Sequence, residues 1–354
     1  LLFTATLVSS AAESGRLLHD SGVKGGLVVA VGCDNPALIA ELKADDRYLV
    51  QAIDRDAGQV VAAREYLQKK GVYGGVSANL WTGDKLPYVD SLIRMLVVDA
   101  ENSVPGEEVI RVLAPRGVAM IHESNSALIA ALGQTTPGGG EFVKYTKPVP
   151  ADTDEWTHFL HDATNDATSK DQQVQTPRGL RWVAGPKWCR SHEFPTSVCG
   201  VVTSGGRLFA ILDEAPIGVY RSLPQKCNLV ARDADSGVLL WKEPMRQWQQ
   251  ELGTGRGGRW AIHHTIPRRL IAKDDRVYVT LAFADSPVSV LDAATGEILI
   301  EALEGTKGAD EMILADQILV VKTTEGISVG AGRRFSKEKH NDSLVAVDVK
   351  AGRV

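Results

Sequence analysis

The chain has 354 residues, of which 44% are hydrophobic and 23% charged, with a formal net charge of −5 at pH 7 and a sequence pI near 6.0. That length holds two domains with cores of their own, and the mild acidity gives no electrostatic case for a nucleic acid or an anionic membrane as partner. Four cysteines, Cys33, Cys189, Cys199 and Cys227, suit an oxidising compartment but are too few for a disulfide scaffold. Cys189 and Cys199 either pair or stand as separate buried thiols.

The first residues, Leu1-Leu2-Phe3-Thr4-Ala5-Thr6-Leu7-Val8 followed by Ser9-Ser10-Ala11-Ala12, read as the end of an apolar signal-peptide core with a small-residue cleavage site near Ala11 or Ala12. Residues 1–14 are therefore expected to be the end of a leader, and the protein to be periplasmic or secreted. A short strand or helix of the following domain is the alternative. No later run is long and apolar enough to predict a transmembrane segment.

Buried-type strands then alternate with helical segments. Leu27 to Gly32 is a continuous apolar strand ending in glycine, Pro36 to Leu42 suits the first turns of a helix, and Leu49 to Ile53 is a second strand ending at Asp54. Ala57 to Lys70 predicts a helix, Leu92 to Val98 a buried strand, Glu107 to Leu113 a helix and Gly117 to Ile121 another strand, an order that implies a mostly parallel sheet.

Over residues 15–123 this segment resembles the class I S-adenosylmethionine-dependent methyltransferases. Val31-Gly32-Cys33-Asp34 stands where their first glycine-rich motif belongs, Asp54 where the ribose-binding acid belongs, and Leu86-Pro87-Tyr88 with Val112 to Gly117 match the later landmarks. The resemblance implies S-adenosylmethionine as cofactor, held by Gly32, Asp34 and Asp54. Asn35 and Pro36 occupy positions where a fuller motif carries another glycine, and the adenine-contacting acid aligns with Thr82. Asp54 also has a structural reading, as a helix N-cap. S-adenosylmethionine is moreover a cytoplasmic metabolite, so the expectation is a degenerate domain retained for structure or for binding something else. An active methyltransferase is the alternative.

Residues 124–150 are expected to be a linker, with a flexible break from Gln134 to Gly140 and a stiffer Lys147-Pro148-Val149-Pro150 after it. The segment Asp154-Glu155-Trp156-Thr157-His158-Phe159-Leu160-His161-Asp162 follows. Five histidines, His158, His161, His192, His263 and His264, fall beyond the linker, with Arg190 and Glu193 beside His192. His158 and His161 stand three apart, which predicts both rings on one helical face. With no third ligand at recognisable spacing no metal set is expected, and His158, His161, Arg190, His192, Trp260, His263 and His264 are candidates for binding a ligand. Trp260, His263 and His264 lie in an insertion between the first two of three repeats, rich in Trp and Gly, that suits ligand capture or a packed lid.

Those repeats close the chain. Leu229 to Gly237, Val288 to Gly296 and Leu344 to Gly352 are each a β-branched run entering an Asp-x-x-x-Gly turn, with glycines 59 and then 56 residues apart. Each is preceded by a polar turn and an apolar strand, at Gly206 to Ile211, Asp275 to Thr280 and Asp316 to Val321. The copies resemble the pyrroloquinoline-quinone-type β-propeller repeat, whose trailing Trp is Trp241 in the first copy and Ile300 in the second. The resemblance implies a propeller over residues 151–354, incomplete at its C-terminus, opened by a Trp-containing strap at residues 154–162. The fold class expected is thus α/β plus all-β.

Pyrroloquinoline quinone is the second cofactor in question, although the chain has neither the adjacent cysteines that quinoprotein dehydrogenases commonly carry nor a haem motif. In architecture the repeats resemble the propeller of outer-membrane assembly lipoproteins more than an alcohol dehydrogenase. The function expected is an exported binding or scaffold protein that takes a protein or extracellular ligand on the propeller face. A quinone-dependent oxidoreductase is the further alternative.

Overall fold

Six consecutive buried residues, Gly26–Val31, form β1, an interior strand of a seven-stranded sheet. The computed structural model describes residues 15–100, 102–177, 179–185, 198–215, 226–245, 266–283, 285–324 and 341–351. They form two compact units, one of Leu1–Ala151 with Thr176–Trp182 and Asp233–Leu240, the other of Asp152–Gln175, Val183–Arg232 and Trp241–Val354. No helix among the described residues is long and apolar enough to cross a membrane.

In the first unit the chain runs from β1 through α1 (Pro36–Glu41), β2 (Tyr48–Asp54), α2 (Ala57–Lys69), β3 (Val76–Leu80), β4 (Ile93–Val98), α3 (Gly106–Val112), β5 (Leu113–His122), α4 (Ser126–Leu132), β6 (Thr136–Pro137) and β7 (Phe142–Thr146). The strand order is β3-β2-β1-β4-β5-β7-β6. β1 to β5 are parallel, whereas β7 pairs antiparallel with both β5 and β6. Alternate residues of each buried strand supply opposite faces. Val28, Ala30, Val50, Ala52, Met95 and Val97 pack with Leu38, Ile39, Val60 and Leu67 of α1 and α2. Val29, Val31, Ile53, Leu96 and Val98 pack with Val109, Val112, Leu128 and Leu132 of α3 and α4. The sheet is wound on both faces.

Two features of this unit differ from expectation. β3 has no counterpart among the predicted strands, because its sequence VSANL is short and half polar. The segment 124–150, expected to be a linker, instead carries α4 and the antiparallel edge of the sheet. Its glycines form the turn into β7, where the Gly138 N–H bonds to the Phe142 carbonyl at 2.9 Å.

The described residues from Val198 onward form consecutive antiparallel meanders. β8 (Val198–Ser204), β9 (Arg207–Asp213), β10 (Cys227–Asp233) and β11 (Leu239–Pro244) make one sheet in the order β11-β10-β9-β8. A 3₁₀ turn, Ile266–Arg269, leads into β12 (Leu270–Lys273), β13 (Arg276–Val279), β14 (Ser289–Asp292) and β15 (Ile298–Ile300). A third sheet holds β16 (Ala309–Ala315), β17 (Ile318–Thr324) and β18 (Asp342–Asp348). Ile271, Tyr278 and Val290 of the second sheet share one core with Met312, Leu314, Leu319 and Val321 of the third.

The predicted hairpin strands are β9, β13 and β17, each second in its meander, and the Asp-x-x-x-Gly turns follow the third strand. The turns share one plan. Asp233 Oδ1 accepts the Ser236 N–H at 2.7 Å, Asp292 Oδ1 the Ala294 and Thr295 N–H groups at 2.9 and 2.8 Å, and Asp348 Oδ1 those of Lys350 and Ala351, both at 2.9 Å.

Candidate functional site

Ligands of open parallel sheets bind outside the carboxyl ends of the strands, where the order reverses, here beside β1 and β4. Gly32 leaves β1 at φ +118°, and a Cβ there would lie 2.6 Å from Asn102 Nδ2, so this position demands glycine and permits close approach of the backbone. Asp34 is exposed on the same loop. Asp54, at the end of β2, is buried and turned inward. Its Oδ2 accepts the Cys33 N–H at 2.7 Å and its Oδ1 the Asp56 N–H at 2.8 Å. The helix cap expected of Asp54 falls instead to Asp56, whose Oδ1 accepts the N–H groups of Gly58 and Gln59 at 2.6 and 3.1 Å. Burial, reinforced by Asp54 and then Asp34, pushes the Cys33 thiol up to about 12.

The loops after β2 and β3 are tied together across this edge. The Arg55 guanidinium lies 4.1 Å from the centroid of the Trp81 ring and donates to the Gly83 carbonyl at 3.2 Å, while the indole N–H donates to the Lys85 carbonyl at 2.8 Å. Thr82 is exposed beside them. Leu86 and Tyr88 are fastened to α3. Glu108 accepts the Leu86 N–H at 2.9 Å, and Arg111 donates to the Leu86 and Tyr88 carbonyls at 3.0 and 2.7 Å. The Arg111 guanidinium holds the Glu108 carboxyl below its ordinary range. Of the three residues implied for S-adenosylmethionine, then, Gly32 offers the close approach, Asp34 is exposed on the same loop, and each oxygen of the buried Asp54 accepts one backbone N–H.

The second candidate region is the strap. Three successive residues bond to the three antiparallel sheets among the described residues. Trp156 exchanges bonds with Thr203 of β8, its N–H donating to Oγ1 at 2.9 Å and its carbonyl accepting the Thr203 N–H at 2.7 Å. The Thr157 carbonyl accepts the Ala272 N–H of β12 at 3.0 Å, and His158 Nε2 accepts the Leu314 N–H of β16 at 3.0 Å. Accepting at Nε2 places the His158 proton on Nδ1, which donates to Thr157 Oγ1 at 2.7 Å. Desolvation, the largest influence on this buried ring, pulls its pKa down to about 4.

The two histidines do not share a helical face. Residues 158–161 form a tight turn closed by the His158 N–H and the His161 carbonyl at 3.0 Å, with His161 at φ +77°. His161 is 2% exposed, packs edge-on against Trp156 with centroids 5.3 Å apart, and bonds through Nε2 to Asp154 Oδ2 at 2.8 Å. Burial alone would raise the Asp154 carboxyl, but the Lys170 N–H, the Ser169 hydroxyl and His161 together hold it below the ordinary range. The remaining candidates, Arg190, His192, Trp260, His263 and His264, lie outside the described residues, as do Glu193 and Cys189.

Two features were missed in the sequence. Asp154, Asp162 and Asp166 surround His161, signalled only by the density of aspartates in this stretch. Trp182 is a further repeat tryptophan. It precedes Trp241 by 59 residues, the spacing of Gly237 and Gly296, and donates its indole N–H to the Ala234 carbonyl at 3.0 Å as Trp241 does to Ala293.

No family model matches the chain, and no curated protein matches it. Among solved structures it is similar to an S-adenosyl-L-methionine-dependent methyltransferase from Methanococcus maripaludis, at 11% identity over 41% of this chain and 87% of that one, with a TM-score of 0.35. A sarcosine dimethylglycine methyltransferase from Galdieria sulphuraria follows at 19% identity over 32% and 46%, TM-score 0.29. Geranyl diphosphate C-methyltransferase from Streptomyces coelicolor A3(2) matches at 14% identity over 31% and 44%, TM-score 0.29. The chain thus spans under half the length of the latter two. The strand order and doubly wound core define the class of the first unit, a Rossmann-like α/β fold, accompanied in this chain by antiparallel all-β sheets.

Proposed function

We propose that the chain is an exported binding protein, in which a methyltransferase-like domain that does not transfer methyl groups accompanies an arc of quinoprotein-type β-propeller that takes a protein or extracellular ligand. The observation that carries the first half is Asp54. Its buried carboxylate is the clasp between the β1 and β2 loops, with one oxygen on the Cys33 N–H and the other on the Asp56 N–H, a structural role that needs no ligand. What supports the second half is the recurrence of one turn and one tryptophan contact, together with a strap that bonds to successive sheets. Active methyl transfer is the second reading, favoured by the fold and by the close approach that Gly32 allows.

Calorimetric titration of the full chain with S-adenosylmethionine, and then with pyrroloquinoline quinone plus calcium, tests the reading. No heat from either supports a binding protein. Micromolar S-adenosylmethionine binding that disappears in Asp54→Ala would make methyl transfer the function, and quinone binding dependent on calcium would make it an oxidoreductase.

A further inference from the structure

The strap carries a group whose chemistry its structural bonds leave open. Nδ1 of the buried His161 has no hydrogen-bond partner. Native folds leave few buried polar atoms in that state, and each one asks for an explanation. Because Nε2 bonds to the Asp154 carboxylate, the ring proton belongs on Nε2 and the Nδ1 lone pair is free to act as a donor to a metal. That lone pair faces Asp162 Oδ2 at 3.4 Å and Asp166 Oδ1 at 3.9 Å. Two ionised carboxylates are acceptors only and cannot satisfy it.

One donor atom from each of His161, Asp162 and Asp166 lies within 4.8 Å of the others. We propose that these three residues bind a divalent transition cation, Zn²⁺ being the best match to one imidazole and two carboxylates. Asp154 is the outer-shell carboxylate that orients the histidine, the arrangement that metal-ligating histidines almost always show. Bonds of about 2.0–2.2 Å need the donors to draw together, and the exposed Asp166 rotates to do so by giving up the Thr168 N–H that its Oδ1 accepts at 2.9 Å. The Lys170 ammonium, 3.3 Å from Asp162 Oδ2 on a largely exposed side chain, is the cation that the metal displaces. Three protein donors leave a coordination position open to water or to an oxygen atom of a ligand.

The test uses the full chain, stripped with chelator and titrated with Zn²⁺ alone, and in parallel with Co²⁺ to read visible absorption. One Zn²⁺ per chain is expected. Asp166→Asn, at an exposed loop position that leaves folding intact, should bind at least tenfold more weakly and lose the Co²⁺ band. Asp154→Asn should weaken binding about 10–100-fold through the histidine. His161→Gln should abolish it, and His158→Gln, whose ring serves Leu314, should leave it unchanged. No Zn²⁺ uptake by the unmodified chain would leave a histidine–carboxylate network and overturn the site. Uptake undiminished in Asp166→Asn would overturn it by placing the metal elsewhere. Neither outcome depends on whether the first unit binds S-adenosylmethionine.

Discussion

Trp241 lays its indole against the bare α-carbon of Gly296. A Cβ at Gly296 would lie 2.6 Å from ring atom Cδ2, and the indole N–H reaches the Ala293 carbonyl of the same turn at 3.0 Å. Trp182 and Gly237 repeat the relationship, the hypothetical Cβ then falling 2.5 Å from the ring. The glycine of the repeat is therefore required twice, by a φ of +76° at Gly296 and by the ring stacked on it.

Gly296→Ala should destabilise the second unit by about 2–5 kcal/mol, combining left-handed strain with overpacking against an aromatic ring. Trp241→Phe keeps the packing but strands the Ala293 carbonyl, and should cost about 1–3 kcal/mol. Urea unfolding measures both. A Gly296→Ala midpoint equal to that of the parent would mean that the ring does not rest there.

Asp54→Asn replaces one of two acceptor oxygens by an amide that faces a backbone N–H. Loss of one clasp bond should lower stability by about 1–3 kcal/mol. Hydrogen exchange should quicken at the Cys33 or Asp56 amide and leave β4 and β5 protected. Unchanged exchange at both amides would argue that the carboxylate serves a ligand rather than the loops.

Cys33 should resist alkylation in the native chain. With its thiol pushed up to about 12, roughly one part in ten thousand is thiolate at pH 8, and the side chain is 1% exposed. N-ethylmaleimide at pH 8, followed by peptide mass mapping, should leave Cys33 unmodified until denaturant is added. Rapid native labelling would show that this loop opens.

His158 makes stability fall with acid. Its folded pKa of about 4 lies below its ordinary 6.5, so the unfolded chain binds the proton more readily between those values. The contribution is present above pH 6.5 and is lost as pH falls toward 4, amounting to about 3 kcal/mol at full extent. Urea midpoints measured with chelator from pH 7 to 4.5 should drop more steeply in the parent than in His158→Gln. Parallel slopes would remove His158 as the cause.

The central strands of the first unit were legible because burial on both faces writes a continuous apolar run, as in Leu27 to Val31 and Ile93 to Val98. The edge was not. Thr136 and Pro137 sit in a stretch whose three glycines look like a break, and only pairing with Phe142 to Thr146 makes it a strand. The Asp-x-x-x-Gly turns were legible because side-chain and backbone requirements coincide within five residues. The histidine site was half legible. Spacing marked His158 and His161 but predicted a helix, since nothing in the sequence announced that His161 takes a positive φ and turns its ring from its neighbour. Asp54 was found at its position and misread in its partner, because a cap two residues later leaves the same local pattern.

The strap has a consequence for how the chain assembles. Its three anchors join residues 47, 115 and 156 positions apart in sequence, so the strap must wait for sheets made well after it. Stretching the closure from 47 to 156 residues adds only about 1 kcal/mol of loop entropy, so the cost falls on time rather than on equilibrium. During synthesis Trp156, Thr157 and His158 emerge with no β12 or β16 to receive them, and the first meander must persist with its strap held at one end alone. Full ordering of this segment is accordingly expected to follow formation of the sheet that holds β16, once the Leu314 backbone N–H has met the waiting imidazole.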